Sequence, residues 1–322
     1  MKKCVFVTSL LMMLSNAAWC WGFFGHRHIN YHAVFLLPPE MLIFYKKHIV
    51  FLTEHAVDPD KRRYAVNAEA PRHYIDLDRY GNAPYPDLPR QWADAVAKFS
   101  EDSLNQHGIG PWWIQVMMAR LTNSFRARET SKILRLSAEL GHYLADLHVP
   151  LHASSNHNGQ HTGQQGIHGF WESRIPELMA EKKWDFFIGH ASYINDPLAF
   201  IWQRVMESGA AADSVLKYEK ALSLKFPGDQ KYAFEDRNGT VIRQYSARYA
   251  ETFDKMLNNM VERRMRSSVY AVASFWYTAW ANAGQPSLKD LSEIELDEAS
   301  RKELADMNIS WVAGNPKGKI CD

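Results

Sequence analysis

The chain has 322 residues, 46% hydrophobic and 23% charged, a balance that excludes an intrinsically disordered protein and suits a sizeable core. Its formal net charge of +1 excludes a global field that would draw it to nucleic acid or to an anionic membrane. The unusual feature is its 14 histidines, so the search for chemistry starts with them.

In chain order, the first expected element is a secretory signal peptide over residues 1–20. Lys2 and Lys3 supply its positive start, Val5 to Leu14 its short apolar run, and Ala18 and Cys20 the small residues before a cut that leaves Trp21 first. The run falls short of the roughly 20 residues that a bilayer-spanning helix needs. An exported protein is expected, periplasmic or secreted, with no transmembrane segment after the cut. Removal of Cys4 and Cys20 leaves Cys321 alone, so neither a disulfide within the chain nor a cysteine metal site is expected.

Residues 57–89 are rich in Pro, Asp and Arg and read as irregular loop. Gln91–Gln106 has helical spacing and stops at Gly108. Trp112–Arg126 follows Pro111, which suits a helix start. Glu129–Leu147 carries Ile133, Leu134, Leu136, Leu140, Tyr143, Leu144 and Leu147 on one broad face and ends before Pro150. Residues 152–167 read as loop, and His168–Ile175 as a short helix closed by Pro176. Further helices are expected over Pro197–Glu207, Ala210–Ser223 and Tyr245–Ala281. The pattern predicts an all-α fold with one domain over residues 21–283. Residues 284–322 are expected to form a polar tail or short helices packed on the surface.

The segment from Gly141 to Glu172 concentrates the chemistry. His142 and Asp146 stand at i and i+4 on one helix face, and so do His168 and Glu172. His152 lies between the pairs, just past Pro150. One such pair alone reads as an ordinary hydrogen-bonded couple. Two pairs with a histidine between them make imidazole–carboxylate corners suited to a cation such as Zn²⁺. His148, His157 and His161 fall in the same window and are read as loop or solvent-facing residues.

With WGFFGH at the expected mature start, EHAVDPD, RHYIDLD, HYLADLHVPLH and HGFWE, the chain resembles the superfamily joining zinc-dependent phospholipases C to the fungal and plant single-strand-specific zinc nucleases. The resemblance covers Trp21 to about Leu178 and is looser beyond. It implies three zinc ions held by Trp21 (through its free amine and carbonyl), His26, Asp58, His73, His142, Asp146, His152, His168 and Glu172. One ion would take Asp58, His73, His142 and Asp146. A second would take Trp21, His26 and Asp146, with Asp146 bridging. The third would take His152, His168 and Glu172. Asp58 and Asp146 are the expected catalytic carboxylates, Asp58 either as ligand or as the group that orients or deprotonates water. His28, His32 and Asp76 are candidates for fixing ligand tautomers.

The resemblance implies a zinc-dependent phosphate-ester hydrolase, and the expectation leans toward a phospholipase C-like enzyme. Glu172 as last ligand and the short His152–His168 loop favour that branch. The five-residue step from Trp21 to His26, and Tyr74 after His73 as a base-stacking aromatic, favour a single-strand-specific nuclease or 3′-nucleotidase. Phe24 stands where choline-preferring relatives carry an acid, against phosphatidylcholine preference. Arg62, Arg63, Arg72 and Arg79 are candidate phosphate contacts, against the alternative of a solvated charged face. Phe23, Phe24, Phe170 and Trp171 are a candidate lipid rim, against plain core. The expected partner is a phospholipid headgroup or a single-stranded nucleic acid, and a monomer is expected. A non-catalytic zinc-binding surface protein is the remaining alternative.

Overall fold

Helix-starting signals recur along the chain, and the computed structural model, which describes residues 22–237, 239–291, 296–314 and 316–317, follows most of them. The expected signal peptide, Trp21 and Cys321 lie outside the described residues. The helices are α1 (Gly22–Val34), α2 (Pro39–Lys47), α3 (Ile49–Glu54), α4 (Asp58–Arg62), α5 (Trp92–Phe99), α6 (Glu101–His107) and α7 (Gly110–Ala127). They continue with α8 (Thr130–Asp146), α9 (Ile167–Gly169), α10 (Ile175–Lys183), α11 (Pro197–Lys225), α12 (Ala247–Met256), α13 (Met260–Asn282) and α14 (Glu298–Val312). Proline in the first turn starts α2, α4, α7, α10 and α11, where its missing N–H costs nothing. Asp196, Ser246 and Asp297 cap α11, α12 and α14 by accepting from backbone N–H groups one turn on. The fold is mostly helical, as expected, and no described helix is long and apolar enough to cross a membrane.

Several expected boundaries move. Gln91–Gln106 is two helices, because Ser100 takes a positive φ of 67° and caps α6. Pro176 does not close the helix after His168. A π-helical turn (Phe170–Arg174) runs into α10, and Pro176 sits in its first turn. The two expected helices between Pro197 and Ser223 are one helix of 29 residues. The expected run Tyr245–Ala281 breaks where Asn258 and Asn259 both adopt positive φ. Asparagine tolerates that conformation better than most residues. Before that break lies an antiparallel hairpin of β1 (Tyr232–Arg237) and β2 (Thr240–Tyr245), with Tyr232 opposite Tyr245 and Arg237 opposite Thr240.

Of the two forms expected for residues 284–322, the described part takes the second: a helix, α14, packs on α4. Met307 is buried, Arg135 donates to Glu303 at 2.6 Å, and the Lys317 amide donates to the Arg63 carbonyl at 2.9 Å. The C-terminal segment therefore backs α4, which the centre described below uses.

α8 is the axis of the core, packed by α7, α13, α1 and α3. Residues 137–153 are buried without interruption, so this stretch has no solvent face. Gly141 lets α1 approach. Asn30 of α1 donates to the carbonyls of Leu52 (3.1 Å) and Ala138 (3.0 Å), and a methyl group on Gly141 would come within 2.0 Å of Asn30 Oδ1. Gly141→Ala is expected to destabilise by roughly 2–5 kcal/mol, through overpacking and the loss of buried hydrogen bonds. Chemical denaturation against Gly228→Ala, where an added methyl meets nothing within 4 Å, checks this. Equal midpoints for the two variants would refute the close-approach argument.

Candidate metal centre

Near the C-terminal end of α8 the helix presents His142 and Asp146 to α1, which brings His26, and to the segment after α4, which brings His73. All four are at most 1% exposed. His26 Nε2 lies 3.3 Å from Asp146 Oδ1, whereas His73 Nδ1 (2.8 Å) and His142 Nε2 (3.2 Å) lie against Asp146 Oδ2. The two oxygens of one carboxylate thus face different neighbours. The His26 and His142 rings stack at 3.7 Å. His142 donates from Nδ1 to the Ala56 carbonyl at 2.8 Å, which turns Nε2 toward His73 and Asp146.

The second cluster forms beyond Pro150. His152 Nε2, His168 Nε2 and Glu172 Oε2 stand 3.2, 3.4 and 3.0 Å apart, taken pairwise. His152 donates from Nδ1 to the His73 carbonyl at 2.6 Å, and His168 from Nδ1 to the His157 carbonyl at 3.1 Å. A carbonyl only accepts, so each Nδ1 carries a proton, and the two Nε2 atoms are turned toward each other and toward Glu172. The π-helical turn after α9 brings Glu172 back against His168.

One expected ligand is placed elsewhere. Asp58 bonds His55 Nδ1 at 2.5 Å and lies 3.7 Å from Lys61, outside these groups. Asp60 takes the position instead, with Oδ1 3.7 Å from His142 Nε2 and 3.9 Å from His73 Nδ1. The cause is helical. Asp58 and Asp60 are two residues apart on α4, about 200° around its axis, so only one can face inward. Asp58-Pro59-Asp60 gave the sequence no means of choosing. Sequence reasoning also missed Glu69, which is fully buried. It accepts from Tyr143 and Arg72, and its Oε1 lies 3.6 Å from His73 Nε2. Burial would raise its carboxyl, but His73, Arg62 and Arg72 hold it down at about 2.

Other sequence candidates also find their places. His148 is fully buried rather than solvent-facing, donates to the Leu144 carbonyl, and is held neutral by burial and by Arg264. His157 is also buried, while His161 is exposed in the loop. His28 and His32 face a cavity of about 940 Å³ beside Phe24 and Phe186, away from the clusters. Asp76 lies 4.0 Å from His107. Arg62 and Arg63 are buried, and Arg72 is held by Glu69 at 2.6 Å. Tyr74, Phe170 and Trp171 are buried core residues.

The donor set fits a metal. Ligand atoms about 2.0–2.2 Å from one tetrahedral ion stand about 3.3–3.6 Å apart, close to the spacings seen here. Among the described residues, both oxygens of Asp60, Oδ1 of Asp146 and both ring nitrogens of His26 lack a hydrogen-bond partner, and all are buried. Among the described residues, three buried groups could each hold a metal ion: His26, His142 and Asp146; Asp60, His73 and His142; and His152, His168 and Glu172. Neither a known family model nor a curated protein matches the chain.

Electrostatics sharpen the picture. Burial and the stacked His142 push His26 down to about 4. Burial also opposes charge on His73, but Asp146, Glu69 and Asp60 outweigh it and push His73 up to about 9. Any metal taken by His73 must displace a proton below that pH. Affinity at this site should therefore rise about tenfold per pH unit from 7 toward 9 and level off above, with no matching slope from His26. Competition with a chelator across that range measures it, and a flat profile would show His73 to be unprotonated. Separately, Asp60→Asn should weaken metal retention at least about tenfold, and Asp58→Asn much less. The reverse order, read by metal content after dialysis, would return Asp58 to the cluster.

Proposed function

We propose that the chain is a zinc-dependent hydrolase of phosphate esters that holds three zinc ions. The observation that carries this reading is the linkage of the clusters. Asp146 turns one oxygen to His26 and the other to His73 and His142, and the His73 carbonyl orients His152. The sites are thus neighbours built into one centre. His152, His168 and Glu172 would hold one ion. Asp60, His73, His142 and Asp146 would hold a second. His26 and Asp146 would hold the third, and the resemblance adds the free amine of Trp21, which lies outside the described residues. Bound zinc supplies Lewis acidity toward a phosphoryl oxygen and lowers the pKa of water toward neutrality.

The protein's part is orientation. Main-chain carbonyls of Ala56, His73 and His157 fix the tautomers of His142, His152 and His168, so their lone pairs point inward. Glu69 faces the outer nitrogen of His73 and restrains that ring from behind. Asp146 spans two groups and is the carboxylate whose loss disturbs both. Asp58, paired with His55 and near Lys61, is assigned no ligand role.

A phospholipase C-like substrate is the favoured reading. Tyr74, the aromatic that would stack on a base, is 6% exposed and donates to the Gln106 carbonyl at 3.3 Å. That burial weighs against one of the two features on the nuclease side; the five-residue step from Trp21 to His26 stands. Export follows from the sequence pattern and is part of the same proposal.

Metal analysis of the mature protein should give about three Zn²⁺ per chain, and it should cleave a phospholipid headgroup diester in a chelator-sensitive manner. Asp146→Asn should lower turnover at least about a thousandfold, on the scale that metal catalysis supplies. Cleavage of single-stranded DNA but no lipid would transfer the proposal to the nuclease branch. Inactivity on both at full zinc content would overturn the hydrolase reading in favour of a zinc-binding protein.

A further inference from the structure

A second cavity, of about 460 Å³, opens beside α7 and is separate from the proposed chemistry. Its walls include Arg72, Arg90, Trp92, Trp112, Trp113 and Gln115. The volume suits one ring system with a polar substituent. We propose that this cavity is a binding site for a compact aromatic anion, a flat ring bearing a carboxylate or similar group, recognised by Arg90 and by the indoles around it.

The aromatic half of the argument is the wall. Trp92 and Trp112 meet edge-on at 5.6 Å, and Trp112 meets Trp202 at 5.1 Å. The Arg72 guanidinium lies 3.9 Å from the Trp113 ring centre, and that of Arg90 lies 4.3 Å from the Trp202 ring centre. Such surfaces favour a planar π-system over an aliphatic chain.

The anionic half is Arg90, which lines the cavity and carries the positive charge that an anion's oxygens would meet. The acids nearby do not take that place. Arg72 is taken by Glu69 at 2.6 Å. Glu101 also lines the cavity but is exposed and forms no ion pair with Arg90. Arg90 Nη2 reaches only the Met206 sulfur at 3.9 Å, a weak acceptor. Arg90 is thus a partly buried cation without a carboxylate, and burial lowers its pKa. Trp112 Nε1 donates to the Arg90 carbonyl at 2.9 Å and pins its backbone to the cavity wall.

The test uses the zinc-loaded protein and three isosteric probes: 2-naphthoate, neutral 2-naphthylmethanol and cationic 2-naphthylmethylammonium. Calorimetry should show 2-naphthoate binding with a Kd of about 10–100 µM, at least about tenfold tighter than either other probe. Arg90→Met should weaken 2-naphthoate at least about tenfold while the zinc content stays unchanged. Gln115→Glu, which places a like charge in the cavity, should do the same through a different residue. No binding of any probe, or equal binding of the cation, overturns the proposal. Unchanged 2-naphthoate affinity in a folded Arg90→Met or Gln115→Glu protein also overturns it, by moving the anion to the zinc ions.

Discussion

Asp60 and Asp146 are carboxylates almost wholly withdrawn from water, and among the described residues neither is paired with a lysine or arginine. They face imidazoles instead. One of those imidazoles, His142, has already committed its Nδ1 proton to a main-chain carbonyl. Nitrogen lone pairs and carboxylates crowded in this way repel in a low-dielectric interior wherever no proton or cation lies between them. A multivalent cation turns the same arrangement into an attractive one, and no repacking of neutral side chains would. The rest of the architecture follows from holding these groups in place.

Holding them takes several segments that lie far apart in the sequence. α8 supplies His142 and Asp146, α1 supplies His26, α4 supplies Asp60, and the turns beyond supply His73, His152, His168 and Glu172. Gly141 lets α1 close on α8, and α14 backs α4. Around the inner donors lies a second layer of charge that is complete in itself. Glu69 accepts from Arg72 and Tyr143, and Glu139 accepts from Arg62 and from Arg135 at 3.1 Å. This outer layer touches the inner one through His73, whose outer nitrogen faces Glu69 while its inner nitrogen faces Asp146.

What was legible in the sequence follows from periodicity. His142 with Asp146, and His168 with Glu172, are one helical turn apart and need only a helix to meet. The apolar face of α8 predicted that helix nearly to the residue. Asp58 against Asp60 was not legible, since a five-residue helix carries no periodic signal and both residues are acids. The carbonyls of Ala56, His73 and His157 were hidden for a deeper reason: every residue offers one, so no residue type marks those that orient a histidine. His148 read as a loop histidine because its burial depends on Arg264, 116 positions later, which donates to its carbonyl at 2.7 Å. The hairpin was signalled by Asn238-Gly239 between alternating residues, and was hidden by the helical pattern that follows it.

The two layers of charge also explain why such a centre can sit inside a core at all. A buried acid is tolerated when its partner is fixed and nearby, and the outer acids have guanidinium partners supplied by the chain itself. Their ion pairs form as α4 and α8 pack, with no help from outside. The inner acids face histidines instead, and a cation bound among them would add to the folding free energy. His73 belongs to both layers. With no cation present its pKa is pushed up to about 9, so a proton provides the positive charge that Asp146 and Glu69 require. A metal taken by the proposed centre would have to displace that proton. Proton and metal would then compete for the one residue that joins the two layers, so what fills the inner layer would be felt by the outer one through His73.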